Sequence, residues 1–455
     1  MQESVHITDK RRVPRESVPL SFLRPNVGWT VKVFTTESEF DALEDDWNAL
    51  TAVCATSVFQ TFDWLRTWWK HFGSQTSNGS LHIVVVYNNG KVIAIGPFFS
   101  EVTSVLGFAR ATRLCFIGRK TSDYQDVIIR DGMQQHVYPL LADHLSKNKD
   151  KWDLIFLENI PNRSQTHMLL QSTLEWRGMK GRAEITEQCP RIILPNSWEQ
   201  YLKNHSKQFQ RELRRLERNL AEHFGAEFET ISSGAELDDA FSEFIELHQA
   251  RWNKCGEPGV FAEATERNFQ REVIKKLFDK DIVRLSFMRL RGKRVVGNYG
   301  FRTGSVFCMY LHAMGDAGEA QRFAPGKILN CYSIRHAINA GMKIVDFMRG
   351  AEEYKYRLLA TNEPNWTITM YTNSGDAANA ERKRNFNILF ESSCKRAAKE
   401  LAHLSATIKY NGLLSRETLA YMTHRPALIF HDLKKKTKNP LKPLYLSQIE
   451  HDGAR

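Results

Sequence analysis

The part of this sequence best able to do chemistry is residues 310–355, YLHAMGDAGEAQRFAPGKILNCYSIRHAINAGMKIVDFMRGAEEYK. An apolar, strand-like run ends at Ala313, a polar loop with two glycines follows, and Pro325-Gly326 opens a helix-like segment. Proline is tolerated in a first helical turn, and glycine lets a ligand come close to the backbone. A helix start also presents unpaired N–H groups and a partial positive charge, to which Lys327 adds a full one, so the spot suits a pyrophosphate. An ordinary helix cap is the plainer reading of the same residues. The helix leads to an apolar strand at 344–348, whose far end carries Arg349, Gly350, Glu352, Glu353, Tyr354 and Lys355. Ligands collect at such carboxyl ends in α/β sheets.

Several side chains here could move a proton or hold an acceptor. His312, at the end of the strand before the loop, has a suitable intrinsic pKa, although a satisfied structural histidine reads the same way. Asp346 lies inside an apolar strand, where a buried carboxylate needs a partner such as Lys355 or Arg349. Glu352 and Glu353 are either a base within reach of an acceptor or plain surface charge. Lys355 and Arg357 alternate across Tyr356, so on an extended chain they share a face that suits phosphate or carboxylate. His248 and Trp252 are i, i+4 neighbours on a helix and either line an acceptor pocket or pack between units. The chain contains no G-x-S-x-G elbow, H-E-x-x-H or GK[ST] phosphate loop, and Pro325-Gly-Lys327 is followed by Ile328.

Elements that position these residues follow from periodicity. Strand patterns occur at 29–34, 81–87 and 91–99, the last two joined by an Asn88-Asn89-Gly90 turn. Further strands are expected at 114–117, 126–129 and 152–157, and helices at 37–50, 61–72 and 133–146. The aromatic stripe of the 61–72 segment reads as core. From Ser197 the pattern begins again. A long basic helix spans 198–224 and a strand 226–231, followed by helices at 237–252 and 268–278. Three antiparallel strands (282–290, 294–302, 305–313), a helix at 326–340 and strands at 343–348 and 367–371 complete it. The shared order suggests a divergent duplication.

The totals bound the class. A chain of 455 residues with 42% apolar and 25% charged residues is globular and long enough for two domains. Its seven cysteines are scattered without a C-x-x-C pair, against a zinc cage or disulfide framework. No signal-like or 18-residue apolar run occurs, so the expectation is a cytoplasmic protein. Of the net charge of +11, residues 381–455 hold +8, from 15 Lys/Arg against 7 Asp/Glu. That tail suits an anionic partner, including peripheral contact with the inner face of a membrane, or is simply solvated.

The stretch Gln321-Arg-Phe-Ala-Pro-Gly326 resembles the Q/R-x-x-G-x-G/A phosphate loop of the GNAT acyltransferase superfamily, with Ala324 in place of the middle glycine. PGKIL, a helix and DFMRG-x-E-x-YKYR together resemble the BioF2-like or CelD-like acetyltransferases, a subfamily linked to bacterial polysaccharide synthesis. Leu247-His248…Arg251-Trp252 is similar to the LH-x-x-RW element of that group, and FQTFDWLRTWWKHFG at 59–73 to its aromatic signature. The likeness covers about 31–371, and the relatives it points to resemble tandem GNAT-like units akin to the aminoacyl-tRNA-dependent FemX group.

The resemblance implies an α/β (α+β) fold of tandem GNAT-like units, each a mixed, mostly antiparallel sheet flanked by helices. The expected divisions are a lead-in at 1–25, units at 26–195 and 196–375, and a basic helical extension at 376–455. It implies acetyl-CoA or another acyl-CoA as co-substrate and no metal. Tyr310, Leu311, Gln321, Ala324, Pro325, Gly326 and Lys327 would hold the donor. His312, Asp346, Glu352, Glu353 and Lys355 would be the catalytic candidates, and His248, Trp252, Tyr354 and Arg357 would meet the acceptor. That acceptor is a sugar, sugar nucleotide or other small amine or alcohol. The alternatives are a FemX-like transferase using aminoacyl-tRNA, with the basic helix and tail as its RNA footprint, and a silent GNAT-like module docked on a polysaccharide synthase complex.

Overall fold

The computed structural model describes residues 28–54, 56–74, 79–105, 109–254 and 256–371. The expected lead-in and basic extension lie outside the described residues. Among the described residues thirteen strands form one sheet. They are β1 (Trp29–Phe34), β2 (Ser80–Asn88), β3 (Lys91–Val105), β4 (Ala109–Phe116), β5 (Ile128–Ile129), β6 (Leu154–Pro161) and β7 (Lys180–Ile193). The series continues with β8 (Glu227–Thr230), β9 (Val283–Leu290), β10 (Lys293–Thr303), β11 (Val306–Met314), β12 (Ile344–Asp346) and β13 (Thr361–Tyr371). Two matching hairpins anchor the pattern. Asn89-Gly90 and Arg291-Gly292 both take positive φ at two successive residues, the turn whose twist suits paired strands.

The strand order is β1-β2-β3-β4-β6-β13-β7-β12-β11-β10-β9-β8, with β5 beside β3. Only β4/β6 and β11/β12 are parallel. The run β1-β2-β3-β4-β6 is thus repeated as β8-β9-β10-β11-β12. The last strand of each series is exchanged: β7 pairs with β12, β13 pairs with β6, and β7 and β13 pair with each other. The mixed, mostly antiparallel sheet flanked by helices is as expected, but it is one unbroken sheet where the sequence suggested one for each unit.

The exchange escaped the sequence for identifiable reasons. Strand β7 carries Lys180, Arg182, Glu184, Glu187 and Gln188, so it lacks apolar alternation. Strand β13 begins six residues before the expected 367 and contains Pro364, usually a sign against an interior strand. The carbonyl of Pro364 accepts from Asn162 N at 3.1 Å, on the side where β6 has already ended, so the missing N–H breaks no ladder bond there.

Helix Phe62–Trp68 is core. Trp64 is wholly buried and meets Phe269 and Phe301 edge-on at 5.1 and 5.7 Å, joining the two strand series through side chains. The expected helix 198–224 is two helices, Trp198–Lys203 and Lys207–Phe224. The break falls at Ser206, whose hydroxyl caps the second helix by accepting from Phe209 N at 3.1 Å. Buried Leu213, Leu216 and Leu220 hold that helix in the same core as helix Pro325–Asn339.

Candidate functional site

Strand β11 pairs with β12 only from Val306 to Cys308, then runs on to Met314 beside β10 alone. Along that stretch a cleft of about 1450 Å³ opens, large enough for a long donor and an acceptor together. At its end Ala324 takes a left-handed conformation, φ 48 and ψ 58, and helix Pro325–Asn339 begins. Ala324 therefore keeps the backbone turn that a glycine would make more easily. A Cβ built on Gly326 would meet only Met314 Sδ at 3.7 Å, so the helix start is open. Lys327 sits over the Phe209 ring at 4.6 Å and pairs with Glu212 at 3.1 Å.

The cleft brings together Tyr310, Leu311, His312, Gln321 and the run Ala324–Lys327. His248, Trp252, Glu352, Tyr354, Lys355 and Arg357 line it too. Asp346 and Glu353 are not among its lining residues. Asp346 is 2% exposed and is partnered neither by Lys355 nor by Arg349. Its carboxylate accepts from Tyr124 Oη at 2.8 and 3.0 Å and from Met348 N at 2.9 Å, and burial holds its pKa above the ordinary range. Glu353 pairs with Arg357 at 2.7 Å, both largely in solvent.

Lys355 and Arg357 do not share a face. Residues Glu353–Arg357 form a short helix, in which positions two apart point away from each other. Lys355 is 3% exposed. Its ammonium donates to the carbonyls of Arg349 and Gly350 at 2.9 and 3.0 Å and pairs with Glu352 at 2.8 Å, tying down the turn after β12.

The two histidines differ. His248 has both nitrogens engaged, Nδ1 with Gln249 Oε1 at 3.1 Å and Nε2 accepting from Trp252 Nε1 at 3.0 Å. In His312, Nδ1 meets Asn298 Oδ1 at 2.7 Å, while Nε2 is buried with no partner among the described residues. Burial first, then the Lys355 ammonium, push the His312 pKa down to about 3, so its ring is neutral at pH 7.

Sequence reasoning missed the contribution of the first strand series. Trp68, Phe72, Glu101, Arg119, Asp123 and Glu187 all reach the cleft. The loop after β4 fills the gap between β4 and β6 that its counterpart leaves open. Gln125 Nε2 donates to Ile117 O at 3.1 Å on one lip, and Gln125 N to Asn159 O at 2.9 Å on the other. The same loop braces the second series, through Tyr124 on Asp346, Asp123 on Arg349 at 2.5 Å and Thr121 O on Tyr310 Oη at 2.9 Å. Glu266 was missed as well. It lines the cleft, accepts from Gln270 Nε2 at 2.9 Å, and is raised to about 6 by burial.

The open strand edge and helix start both lie within residues 207–356, which match the family model described as acetyltransferase (GNAT) domain. Over those 150 of 455 residues the chain is similar to a GNAT acetyltransferase domain. No curated protein matches the sequence. Among solved structures, the crystal structure of FemX is 10% identical with a TM-score of 0.51, over 74% of this chain and 96% of that one. The C-terminal domain of a putative lysylphosphatidylglycerol synthetase from Agrobacterium fabrum gives 11%, TM-score 0.46 and coverage of 76% and 95%. A tandem GNAT protein from the clavulanic acid biosynthesis pathway gives 12%, TM-score 0.38 and coverage of 76% and 100%. The GNAT match contains His248, Glu266, His312 and the Ala324–Lys327 turn, and leaves out the bracing loop. Among the described residues no helix is long and apolar enough to cross a membrane.

Proposed function

We propose that the protein is an acyl-CoA-dependent acyltransferase that moves an acetyl or other acyl group onto a nitrogen or oxygen of a small acceptor. In this reading residues 26–195 and 196–375 are two GNAT-like units, and the second holds the donor. The observation that carries it is the unpaired edge of β11 from Met309 to Met314, leading to the helix start at Pro325. Amides of a pantetheine arm match an open strand edge, and a diphosphate matches a helix start with Lys327 beside it.

The acceptor approaches between the two strand series. Its nitrogen or oxygen bonds to the acyl carbon, the carbon–sulfur bond breaks, and the departing thiolate takes up, by way of His312, the proton that the acceptor has lost. Glu266, ionised above about pH 6, attracts an amine acceptor as its cation before it loses a proton to attack, and His312 Nε2 accepts the further proton that the nitrogen or oxygen gives up as it bonds to carbon. The likeness of 321–326 and 346–357 to the CelD-like enzymes supports a sugar-based acceptor of polysaccharide biosynthesis, handled in the cytoplasm.

The test is isothermal titration of the full chain with acetyl-CoA and CoA, beside Gly326→Glu. That variant should stay folded, since the nearest atom to the new Cβ is at ordinary contact distance, 3.7 Å. Micromolar binding that the variant abolishes is expected; no binding by the wild type overturns the reading.

A second reading, an aminoacyl-tRNA donor, is favoured by one observation. Lys207, Arg211, Arg214, Arg215 and Arg218 form an exposed stripe on helix Lys207–Phe224, whose Phe209 and Glu212 line the cleft. Binding of tRNA that weakens steeply with salt and is lost in Arg211→Glu/Arg215→Glu would move the proposal there.

A further inference from the structure

Asn298 is a polar residue inside the sheet, 3% exposed on β10 and directly opposite His312 on β11. Its orientation is set by helix Pro325–Asn339, the helix whose start meets the cleft. Asn298 Nδ2 donates to Asn330 Oδ1 at 3.2 Å and to Ser333 Oγ at 3.0 Å. That turns Oδ1 toward His312 Nδ1, 2.7 Å away. An amide oxygen only accepts, so the hydrogen of the neutral imidazole must sit on Nδ1 and the lone pair on Nε2. A purely structural histidine engages both nitrogens, as His248 does with Gln249 and Trp252. His312 instead spends one nitrogen on Asn298 and keeps the other unpartnered, with its ring in the cleft wall.

We infer that Asn298, held by Asn330 and Ser333, is the positioning residue that fixes His312 as an Nε2 proton acceptor, and that the helix receiving the donor's phosphates is what holds it in place. The inference rests on the acyl-transfer reading for its functional half and stands on the side-chain geometry for its structural half. Donor site and base are then two ends of one buried amide–hydroxyl network. A shift of the helix start would be felt at the ring nitrogen.

The experiment is nitrogen-15 NMR of the histidines in the full chain, with His312 identified by the signals lost in His312→Gln. A hydrogen on Nδ1 and a bare Nε2 between about pH 5 and 8 are expected. Asn298→Asp keeps the side chain's size but places a carboxylate against Nδ1, which should raise the His312 pKa by about 1 to 3 units. Ser333→Ala is a milder variant in case the first does not fold, and should leave a mixture of the two tautomers. The functional arm follows CoA thiol released from acetyl-CoA with glucosamine as probe acceptor. In Asn298→Asp the acid limb of kcat should move up with the ring's pKa while KM for acetyl-CoA stays within about twofold, a split that a merely structural role would not give. A hydrogen on Nε2 in the wild type, or a His312 pKa indifferent to Asn298→Asp, overturns the tautomer assignment. A correct tautomer with an unmoved acid limb overturns the catalytic role. Failure of the wild type to bind acetyl-CoA would instead refute the acyl-transfer reading, and with it the functional half.

Discussion

Glu266→Gln should make the protein more stable at alkaline pH and no more stable at acid pH. Glu266 stands on helix Ala264–Phe278 in the cleft wall, and burial lifts its carboxyl from 4.5 to about 6 while one bond from Gln270 opposes the lift only in part. A rise of roughly one and a half units corresponds to about 2 kcal/mol. The fold thus binds this proton more tightly than the unfolded chain does. The stability so gained is fully present below the unfolded value of 4.5 and lost as pH climbs through about 6. Between about pH 4 and 8 the wild type therefore loses about 2 kcal/mol through this group, and glutamine, which does not titrate, loses none. Urea unfolding of both proteins at each pH gives the number as a double difference, in which other titrating groups cancel. A gap that stays constant would mean that the carboxyl titrates alike in the folded and unfolded chain, one that widens toward acid that a cation stabilises the carboxylate in the fold, and either would refute a desolvated Glu266. On the proposed acyl-transfer reading, an amine acceptor should bind more weakly to Glu266→Gln at pH 8 and equally at pH 5.

Ala324→Gly should stabilise the protein by up to about 1 kcal/mol, because φ 48 strains an L residue by more than glycine's extra unfolded freedom costs; a lower urea midpoint would contradict the left-handed turn. Tyr124→Phe removes the hydroxyl bonded to Asp346 and leaves a buried carboxylate with Met348 N as its remaining bond here, so about 1–3 kcal/mol of stability should go, most of it at neutral pH where Asp346 would have to ionise. In Lys355→Met the imidazole of His312 loses the charge that, after burial, most opposes its protonation, so its pKa, followed by NMR, should rise above about 3; an unchanged titration would mean that Lys355 plays no part in holding it down.

Much of the strand-edge and helix-start side of the cleft was legible in the sequence because it is local. Pro325-Gly326 at a helix start, the strand before it and the residues after β12 are contiguous, and the turn signals at Asn89-Gly90 and Arg291-Gly292 fix the flanking hairpins. The opposite side was not, because its contacts come from a loop 222 and 226 residues away in sequence. Asp123 and Tyr124 carry no local sign that they will meet Arg349 and Asp346. Alternation misled at Lys355 and Arg357, where a five-residue helix follows the strand. Asn298 did leave a signal. A lone amide in the run Val295-Val-Gly-Asn-Tyr-Gly-Phe301 had to find a buried partner, and His312 on the next strand was the polar residue in register. Glu266, one carboxylate among several in a polar stretch, left none.

The exchanged pair β7 and β13 also governs how this chain can be made. Strand β6, apolar Leu154–Pro161, is synthesised with one flank open, and the strand that covers it starts at Thr361, two hundred residues later. At about 5–20 residues per second that is roughly 10–40 s on the ribosome with an unsatisfied hydrophobic edge at what will be the middle of the sheet. A nascent chain in that state can pair with itself wrongly, recruit a second nascent chain, or be held by a chaperone until Tyr371 emerges. Among the described residues β6 thus lacks its neighbour until β13 is made, and β13 acts as the clasp that joins the two strand series.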